Sequence, residues 1–264
     1  MSINYDLIAL DVDGTLLTEN HTLTTAVRDS VREAASRGAE IVLCTGRGLN
    51  SALPVLEALG LSGTMITHNG AATMDADRRT VFHQYGVSEN ELSGFREYCL
   101  RGGHHFDVST AFDLLIESIT PEAEEMYNRF EIKPLWRERE APLPEGLIKF
   151  TVFGSLPELD RIEEDWSLWE EGLQYVRSGE YFIDVQHREA TKAAALTRLA
   201  QVRGIDSSRV LAIGNYFNDI GMLSFAGLGV AMANSPEAVK SAADQVTLSN
   251  EEDGVALTLR SFAW

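Results

Sequence analysis

Short apolar runs alternate with helical patterns along the first 81 residues. Residues 5–10, 40–44 and 65–67 are mostly apolar and predict buried strands, whereas 24–36 and 49–59 carry apolar side chains at helical spacing. A strand, a helix and a second strand in this order form a unit with parallel strands and a right-handed crossover. The opening of the chain therefore predicts a doubly wound sheet.

The pattern changes between residues 82 and 187. Ser88 and Glu91 have the spacing of a capping box and predict a helix that reaches about residue 100. Further strands are predicted at 104–108, 114–117, 148–153, 174–177 and 181–186, with helices at 121–128 and 158–169 and a proline-punctuated connector at 134–144. Consecutive strands without an intervening helix favour antiparallel pairing, so this segment is predicted to be an α+β insertion.

Strict alternation returns at Thr191. The predicted order is helix 192–202, strand 210–213, helix 220–225, strand 228–232, helix 236–243, strand 245–248 and helix 254–262. The first and last parts of the chain then form one discontinuous domain. The predicted fold class is α/β, with a doubly wound, Rossmann-like core at 1–81 and 188–264 and an inserted α+β domain at 82–187.

The charge balance restricts the partners. The formal net charge is -18, so nucleic acid and anionic membranes would be repelled, and an anionic substrate would need a local cationic site. No apolar run reaches the length of a membrane span, no signal segment is recognised at the N-terminus, and Cys44 and Cys99 are expected to be buried thiols. We therefore expect a cytoplasmic protein that acts on a small molecule, as a monomer or a homodimer.

The candidate reaction centre is Asp11-Val12-Asp13-Gly14-Thr15, which directly follows the first predicted strand. An ionised Asp is a competent nucleophile toward phosphorus when a cation offsets the repulsion, and a second Asp two residues on points the same way along an extended segment. Alone, this stretch is equally typical of an Asp-Gly turn. The rest of the chain has to decide between the two.

Three further stretches come from other predicted strand or helix ends. Thr45-Gly46-Arg47 offers a hydroxyl and backbone amides to phosphate oxygens, and Lys192 offers an ammonium at the start of a helix. Residues 214–219, Gly-Asn-Tyr-Phe-Asn-Asp, bring a carboxylate and two amides, which suit magnesium as oxygen ligands. Each signal is weak alone, but the carboxyl ends of parallel strands meet at one sheet edge, so together they favour a phosphoryl-transfer site.

This combination resembles the haloacid dehalogenase superfamily, and within it the Cof-type phosphatases with an inserted α/β cap domain. The resemblance implies a magnesium-dependent phosphatase in which Asp11 forms an aspartyl phosphate and Asp13 acts as general acid and base, with residues 82–187 as the cap that selects the substrate. The implied sites fall into three groups: Asp11, Asp13 and Lys192 for catalysis; Thr45, Gly46, Lys192 and Asn218 for the phosphate; and Asp11, Asp13, Asn215 and Asp219 for Mg²⁺.

One position departs from the family pattern. The usual residue after Gly214 is Asp, whereas this chain has Asn215, which leaves the predicted metal site one negative charge poorer. The expected substrate is a small phosphorylated metabolite, with sugar phosphates as the first candidates. A phosphomutase and a phosphometabolite-binding protein with weakened catalysis stay open as alternatives. Candidates for substrate selection in the insertion are His104, His105, Tyr181, His187 and Arg188.

Overall fold

The computed structural model describes residues 4–129, 132–167, 169, 172–179 and 181–263. The chain divides into two compact units. The first comprises residues 1–48, 52–83 and 191–264, and the second comprises 49–51 and 84–190. Within the described ranges, no helix has the length and apolar character needed to cross a bilayer.

The strands follow the chain in this order: β1 (Leu7–Leu10), β2 (Glu40–Cys44), β3 (Thr64–Thr67), β4 (Ala72–Asp75), β5 (Thr80–Gln84), β6 (His105–Thr110), β7 (Leu114–Ile116), β8 (Leu135–Trp136), β9 (Leu147–Phe153), β10 (Leu173–Gly179), β11 (Phe182–His187), β12 (Val210–Gly214), β13 (Leu228–Ala231) and β14 (Gln245–Val246). The helices are α1 (Thr25–Ser36), α2 (Leu49–Ala58), α3 (Glu89–Gly102), α4 (Pro121–Arg129), α5 (Leu156–Trp166), α6 (Lys192–Arg203), α7 (Ile220–Phe225), α8 (Glu237–Ala242) and α9 (Gly254–Thr258).

The sheet of the first unit has the strand order β14-β13-β12-β1-β2-β3-β4-β5. Pairing is parallel from β14 to β3 and antiparallel between β3 and β4. Strand β1 lies in the middle, and all four of its side chains are fully buried, which is typical of a parallel strand covered on both faces. Helix α1 begins where Thr24 accepts a hydrogen bond from the Val27 N–H, and it packs its apolar stripe inward. The predicted doubly wound core is confirmed.

The second unit contains a separate sheet, ordered β10-β11-β9-β6-β7-β8. Its pairs are antiparallel except for β7 with β8. Helix α3 begins with the predicted capping box between Ser88 and Glu91. One face of this sheet contributes Phe106 and Phe150 to an apolar core that also contains Trp166. The α+β character predicted for the insertion is confirmed.

Four details differ from the sequence-based prediction. The stretch 134–144 was predicted as a connector, but it contains the two-residue strand β8. Strands β4 and β5 were not predicted, because residues 72–84 have little apolar periodicity. The turn before β4 was not predicted either: His68 and Asn69 adopt left-handed conformations there (φ 50° and 56°). The last helix was predicted to run unbroken to 262, but α9 ends at Thr258 and a π turn, Leu259–Ala263, follows. Helix α5 ends at Trp166, before the predicted 169; Leu168 lies outside the described residues.

Candidate active site

Asp11 lies at the carboxyl end of β1, in the middle of the sheet. Its backbone N–H extends the ladder by donating to the Ile213 carbonyl (3.0 Å), and the residue is buried, at 5% exposure. The chain then turns at Gly14 (φ +74°), which brings Thr15 back so that its hydroxyl donates to Asp11 Oδ2 (3.0 Å). The turn therefore fixes the orientation of the Asp11 carboxyl group.

Lys192 joins two buried carboxylates. Its Nζ lies 2.6 Å from Asp11 Oδ1 and 2.7 Å from Asp219 Oδ1, and the lysine is 1% exposed. Gly70 allows the first turn of α6 to approach, because a Cβ at Gly70 would lie 2.1 Å from the Thr191 carbonyl oxygen. A buried lysine with two carboxylate partners satisfies the rule that interior charges are paired, but it leaves one negative charge in excess.

The pKa values follow from this arrangement. Burial and the neighbouring Asp219 charge raise the pKa of Asp11 to about 7, against the opposing effect of Lys192. Burial alone would lower the pKa of Lys192, but the two carboxylates outweigh it and raise that pKa above its ordinary value. Lys192 is therefore a permanent cation, and Asp11 needs additional positive charge nearby to be fully ionised.

Asp219 is held from both sides. Its Oδ1 accepts from Lys192, and its Oδ2 accepts from the backbone N–H groups of Asn215 (2.8 Å) and Tyr216 (3.0 Å). Gly214 is required beneath it, because a Cβ there would lie 2.6 Å from Asp219 Cγ. Asp219 therefore shapes the loop that carries Asn215.

The residues predicted to bind a metal converge around the Asn215 amide. One terminal atom of this amide lies 3.0 Å from the Asp13 carbonyl oxygen, 3.0 Å from Asp11 Oδ2 and 3.2 Å from the Thr15 hydroxyl. If that atom is nitrogen, it donates to these oxygens; if it is oxygen, it lies about 3 Å from both the Asp13 and the Asp11 oxygen, the spacing of adjacent ligands around an octahedral ion with bonds of about 2.1 Å. The donor set therefore fits a small, hard divalent cation.

Only part of this donor set consists of acidic side chains. Among the described residues, no group of three His, Cys, Asp or Glu side chains could hold a metal ion. The set around Asn215 differs from such an acidic cluster in its donors, because a main-chain carbonyl and a side-chain amide supply two of its three oxygens. Asn215 therefore contributes an oxygen to this set without a negative charge.

Asp13 points to a different partner from Asp11. Arg47 Nε donates to Asp13 Oδ2 (2.8 Å) and Arg47 Nη2 to Asp13 Oδ1 (2.5 Å), so the guanidinium group forms a two-pronged pair with the carboxylate. His21 Nδ1 lies 3.6 Å from Asp13 Oδ1. Arg47 belongs to the predicted Thr45-Gly46-Arg47 motif, but its side chain had no predicted role.

The predicted phosphate-binding residues lie on neighbouring loops. Thr45, at the end of β2, is buried and accepts the Arg47 N–H through its hydroxyl (3.0 Å). Asn218 Nδ2 donates to Asn69 Oδ1 (2.9 Å), and a Cβ at Gly46 would lie 3.0 Å from the same oxygen. The structure thus joins the loops after β2, β3 and β12, and Asn69 is a member of the site that lacked a predicted role.

Two other polar features lie apart from this group of residues. A cavity of about 300 Å³ lined by Glu40, Thr64 and Arg203 lies at the amino ends of β2 and β3, away from the strand ends that carry Asp11 and Thr45. Arg203 there is paired with Glu40, and we assign the cavity no part in the chemistry. In the second unit, His105 is buried and bonded to the Tyr127 hydroxyl (2.9 Å).

Comparisons with known proteins identify the family of this chain. The family model for haloacid dehalogenase-like hydrolases matches residues 8–259. The protein YxeH of Bacillus subtilis (strain 168) is 34% identical over 96% of this chain and 96% of its own. The 5-amino-6-(5-phospho-D-ribitylamino)uracil phosphatase YcsE of the same organism is 31% identical over 98% of this chain and 96% of its own.

A solved structure extends the comparison to the fold. A haloacid dehalogenase-like hydrolase from Bacteroides thetaiotaomicron superposes with a TM-score of 0.86 and 27% identity, covering 97% of this chain and 99% of that one. The match includes both compact units, so the insertion is part of the shared architecture. The chain belongs to the haloacid dehalogenase-like hydrolase family, among its Cof-type phosphatases.

Proposed function

We propose that this protein is a magnesium-dependent phosphatase that hydrolyses small phosphomonoesters through an aspartyl phosphate. The observation that carries the proposal is the buried Asp11 carboxylate, held by Lys192 and Thr15 at the end of the central strand. A structural ion pair would not need the hydroxyl and the converging oxygens of Asn215 and Asp13 as well. The relative that dephosphorylates a ribitylaminouracil phosphate supports a phosphorylated sugar-like alcohol as substrate.

In the first half of the proposed reaction, an Asp11 carboxylate oxygen attacks phosphorus and the bond to the ester oxygen breaks. Asp13 gives its proton to that oxygen, so the alcohol leaves neutral. In the second half, ionised Asp13 takes a proton from water, and the resulting oxygen attacks the phosphorus of the aspartyl phosphate. This regenerates the Asp11 carboxylate and releases inorganic phosphate, with Asp13 protonated again.

The remaining predicted residues have assigned parts in the proposal. The Thr45 hydroxyl, the Gly46 N–H, Lys192 and Asn218 would hold the phosphoryl oxygens, which carry negative charge throughout. Lys192 also offsets the charge of Asp11, so that an anionic ester can approach it.

The donor set around Asn215 would hold Mg²⁺ through Asp11, the Asp13 carbonyl and the Asn215 amide oxygen. Asp219 acts in support, because Lys192 and two backbone N–H groups already use both of its oxygens. When bound, the ion supplies positive charge that favours ionised Asp11 and neutralises the phosphate. The proposed cap, residues 82–187, would select the substrate.

A product assay tests the proposal. Purified protein is incubated with Mg²⁺ and a panel of sugar and sugar-alcohol phosphates, and both free phosphate and positional isomers are measured. We expect free phosphate, whereas a positional isomer would indicate a phosphomutase. Asp11→Asn should abolish release, and Asp29→Asn, an exposed aspartate paired with Arg28, serves as the control for the same chemical change. Full phosphate release by the Asp11 variant would contradict the covalent mechanism.

A further inference from the structure

Arg47 and Asp13 form a two-pronged ion pair between partly exposed side chains. Both carboxylate oxygens of Asp13 are engaged by one guanidinium group, at 2.8 and 2.5 Å. The Asp13 side chain is 47% exposed and that of Arg47 24% exposed, and ion pairs at such exposure stabilise a fold by about 1 kcal/mol or less. The pair therefore contributes little to the free energy of unfolding, and stability alone does not account for it.

The arginine itself is fixed at its base. Its N–H donates to the Thr45 hydroxyl (3.0 Å), and its carbonyl accepts from the His68 N–H (3.0 Å). Both partners lie at the carboxyl ends of strands: Thr45 follows β2, the neighbour of β1, and His68 follows β3, the neighbour of β2. The guanidinium group is therefore presented by the rigid part of the sheet edge, whereas Asp13 lies on the turn that follows β1.

We propose that Arg47 is a positioning residue for Asp13, which fixes the direction of its carboxylate for proton transfer to and from the leaving oxygen. This inference rests on the proposed phosphatase function and adds a residue to it. A half-exposed aspartate would otherwise rotate freely about its two side-chain bonds, and a displacement of about 1 Å at a reacting group costs up to about a hundredfold in rate. A planar fork on both oxygens removes that freedom.

A different role for Arg47 would be to bind the substrate phosphate. Two of its nitrogen atoms are already bonded to Asp13, and Lys192 supplies a cation beside the nucleophile. The two roles differ in their dependence on the leaving group. A phosphate-binding cation assists every ester equally, whereas a residue that positions the acid matters only when the leaving oxygen needs a proton.

The test compares two substrates in wild-type protein and in Arg47→Met. The first is an alkyl phosphate that wild-type protein hydrolyses, and the second is 2,4-dinitrophenyl phosphate, whose leaving group departs without a proton. The measured quantity is kcat/KM, which reports the first half-reaction. We expect a decrease of about 30-fold for the alkyl ester, within the contribution of general acids, and less than about threefold for the aryl ester. Arg47→Lys, which keeps the charge but loses the fork, should lie between.

Two further variants sharpen the comparison. Arg209 makes a similar two-pronged pair with Asp6, at 2.9 and 2.7 Å and with an aspartate about as exposed as Asp13, so Arg209→Met is a matched control that should leave the alkyl-to-aryl ratio unchanged. Asp13→Asn should change the ratio in the same direction as Arg47→Met. Adding Arg47→Met to Asp13→Asn should cause no further loss, because the two residues act as one unit.

The outcomes separate the inference from the function on which it rests. An equal loss on both substrates would show that Arg47 binds phosphate, and no loss on either would show a merely solvated ion pair; both results overturn the positioning role and leave the phosphatase proposal intact. Wild-type protein that hydrolyses no ester of the phosphate panel and leaves 2,4-dinitrophenyl phosphate intact would overturn the phosphatase proposal itself, and the positioning role with it.

Discussion

Replacing Asn215 with aspartate is the most informative test of the proposed Mg²⁺ site. The side-chain atom in question lies 3.0 Å from Asp11 Oδ2. Two unit charges at about 4 Å and an effective dielectric constant near 20 interact by about 4 kcal/mol. In the metal-free protein this interaction is repulsive, because both carboxylates are negatively charged. Lys192 does not offset the new charge, since it is already paired with Asp11 and Asp219.

The same new charge is attractive toward a divalent cation. The gross gain is of the order of 4 kcal/mol for each unit of metal charge, but the metal-free variant relieves part of its repulsion by protonating or hydrating the new carboxylate. We therefore expect a net gain of about 1.4 to 2.8 kcal/mol, which is a tenfold to hundredfold lower Kd for Mg²⁺. The wild-type protein should correspondingly need more free Mg²⁺ for half-maximal activity than the variant.

Calorimetric titration measures the change in Mg²⁺ affinity. Thermal unfolding with and without a chelator measures the repulsion between carboxylates in the metal-free protein. Asn215→Asp should unfold at a lower temperature than wild type in chelator and gain more from added Mg²⁺. Asn234→Asp is a suitable control, because Asn234 donates to the Gly14 carbonyl (2.9 Å) in the same loop region but is outside the donor set. Equal or weaker Mg²⁺ binding by Asn215→Asp would show that position 215 does not face the ion and that Asp219 or another carboxylate holds it.

Three more outcomes are expected. Asp11→Asn should lose turnover by at least about a thousandfold while its thermal unfolding stays cooperative, since charge is removed with little change of volume; substantial activity after exclusion of deamidation would contradict this. Burial raises the pKa of Asp107 to about 7, so its folded-state carboxyl keeps a proton that the unfolded chain loses near pH 4, and stability falls as the pH rises from about 4 to about 7, by up to about 4 kcal/mol in all. Asp107→Asn should flatten that decrease in urea unfolding measured from pH 4 to 8, and an unchanged slope would place the cause elsewhere. Gly70→Ala should destabilise the fold by more than about 3 kcal/mol and impair activity, because its Cβ would meet Thr191 at 2.1 Å, whereas Gly38→Ala, which also has positive φ but open space around it, should cost only about 1 kcal/mol; equal losses would contradict the steric argument.

The sequence predicted the parts of the site that depend on topology. Asp11, Lys192 and Asp219 could be expected to meet, because each lies near the carboxyl end of a parallel strand or at the start of a helix packed on the sheet. That Asp219 would use both oxygens on Lys192 and the backbone could not be predicted, since a motif gives positions and not directions.

Side-chain pairs between distant elements were outside the reach of sequence patterns. The Arg47 fork on Asp13 depends on the rotamers of two partly exposed side chains. His105 was a candidate for substrate contact because it lies on a predicted strand, but its ring is buried against Tyr127 from α4. Periodicity placed His105 on a strand and could not identify what covers that face.

The position of β1 has a consequence for the order in which the molecule can form. Its register joins Leu7 to Val210 on one side and to Glu40 on the other. During synthesis β2 is available early, but β12 emerges only after the whole second unit. One edge of β1 therefore stays unpaired until most of the chain has been made. The non-local pairing raises the contact order and slows closure of the sheet, while the second unit is complete beforehand. Lys192 reaches Asp11 only in that late phase, so a nascent chain carries the Asp11 carboxylate long before it carries the ammonium group that neutralises it.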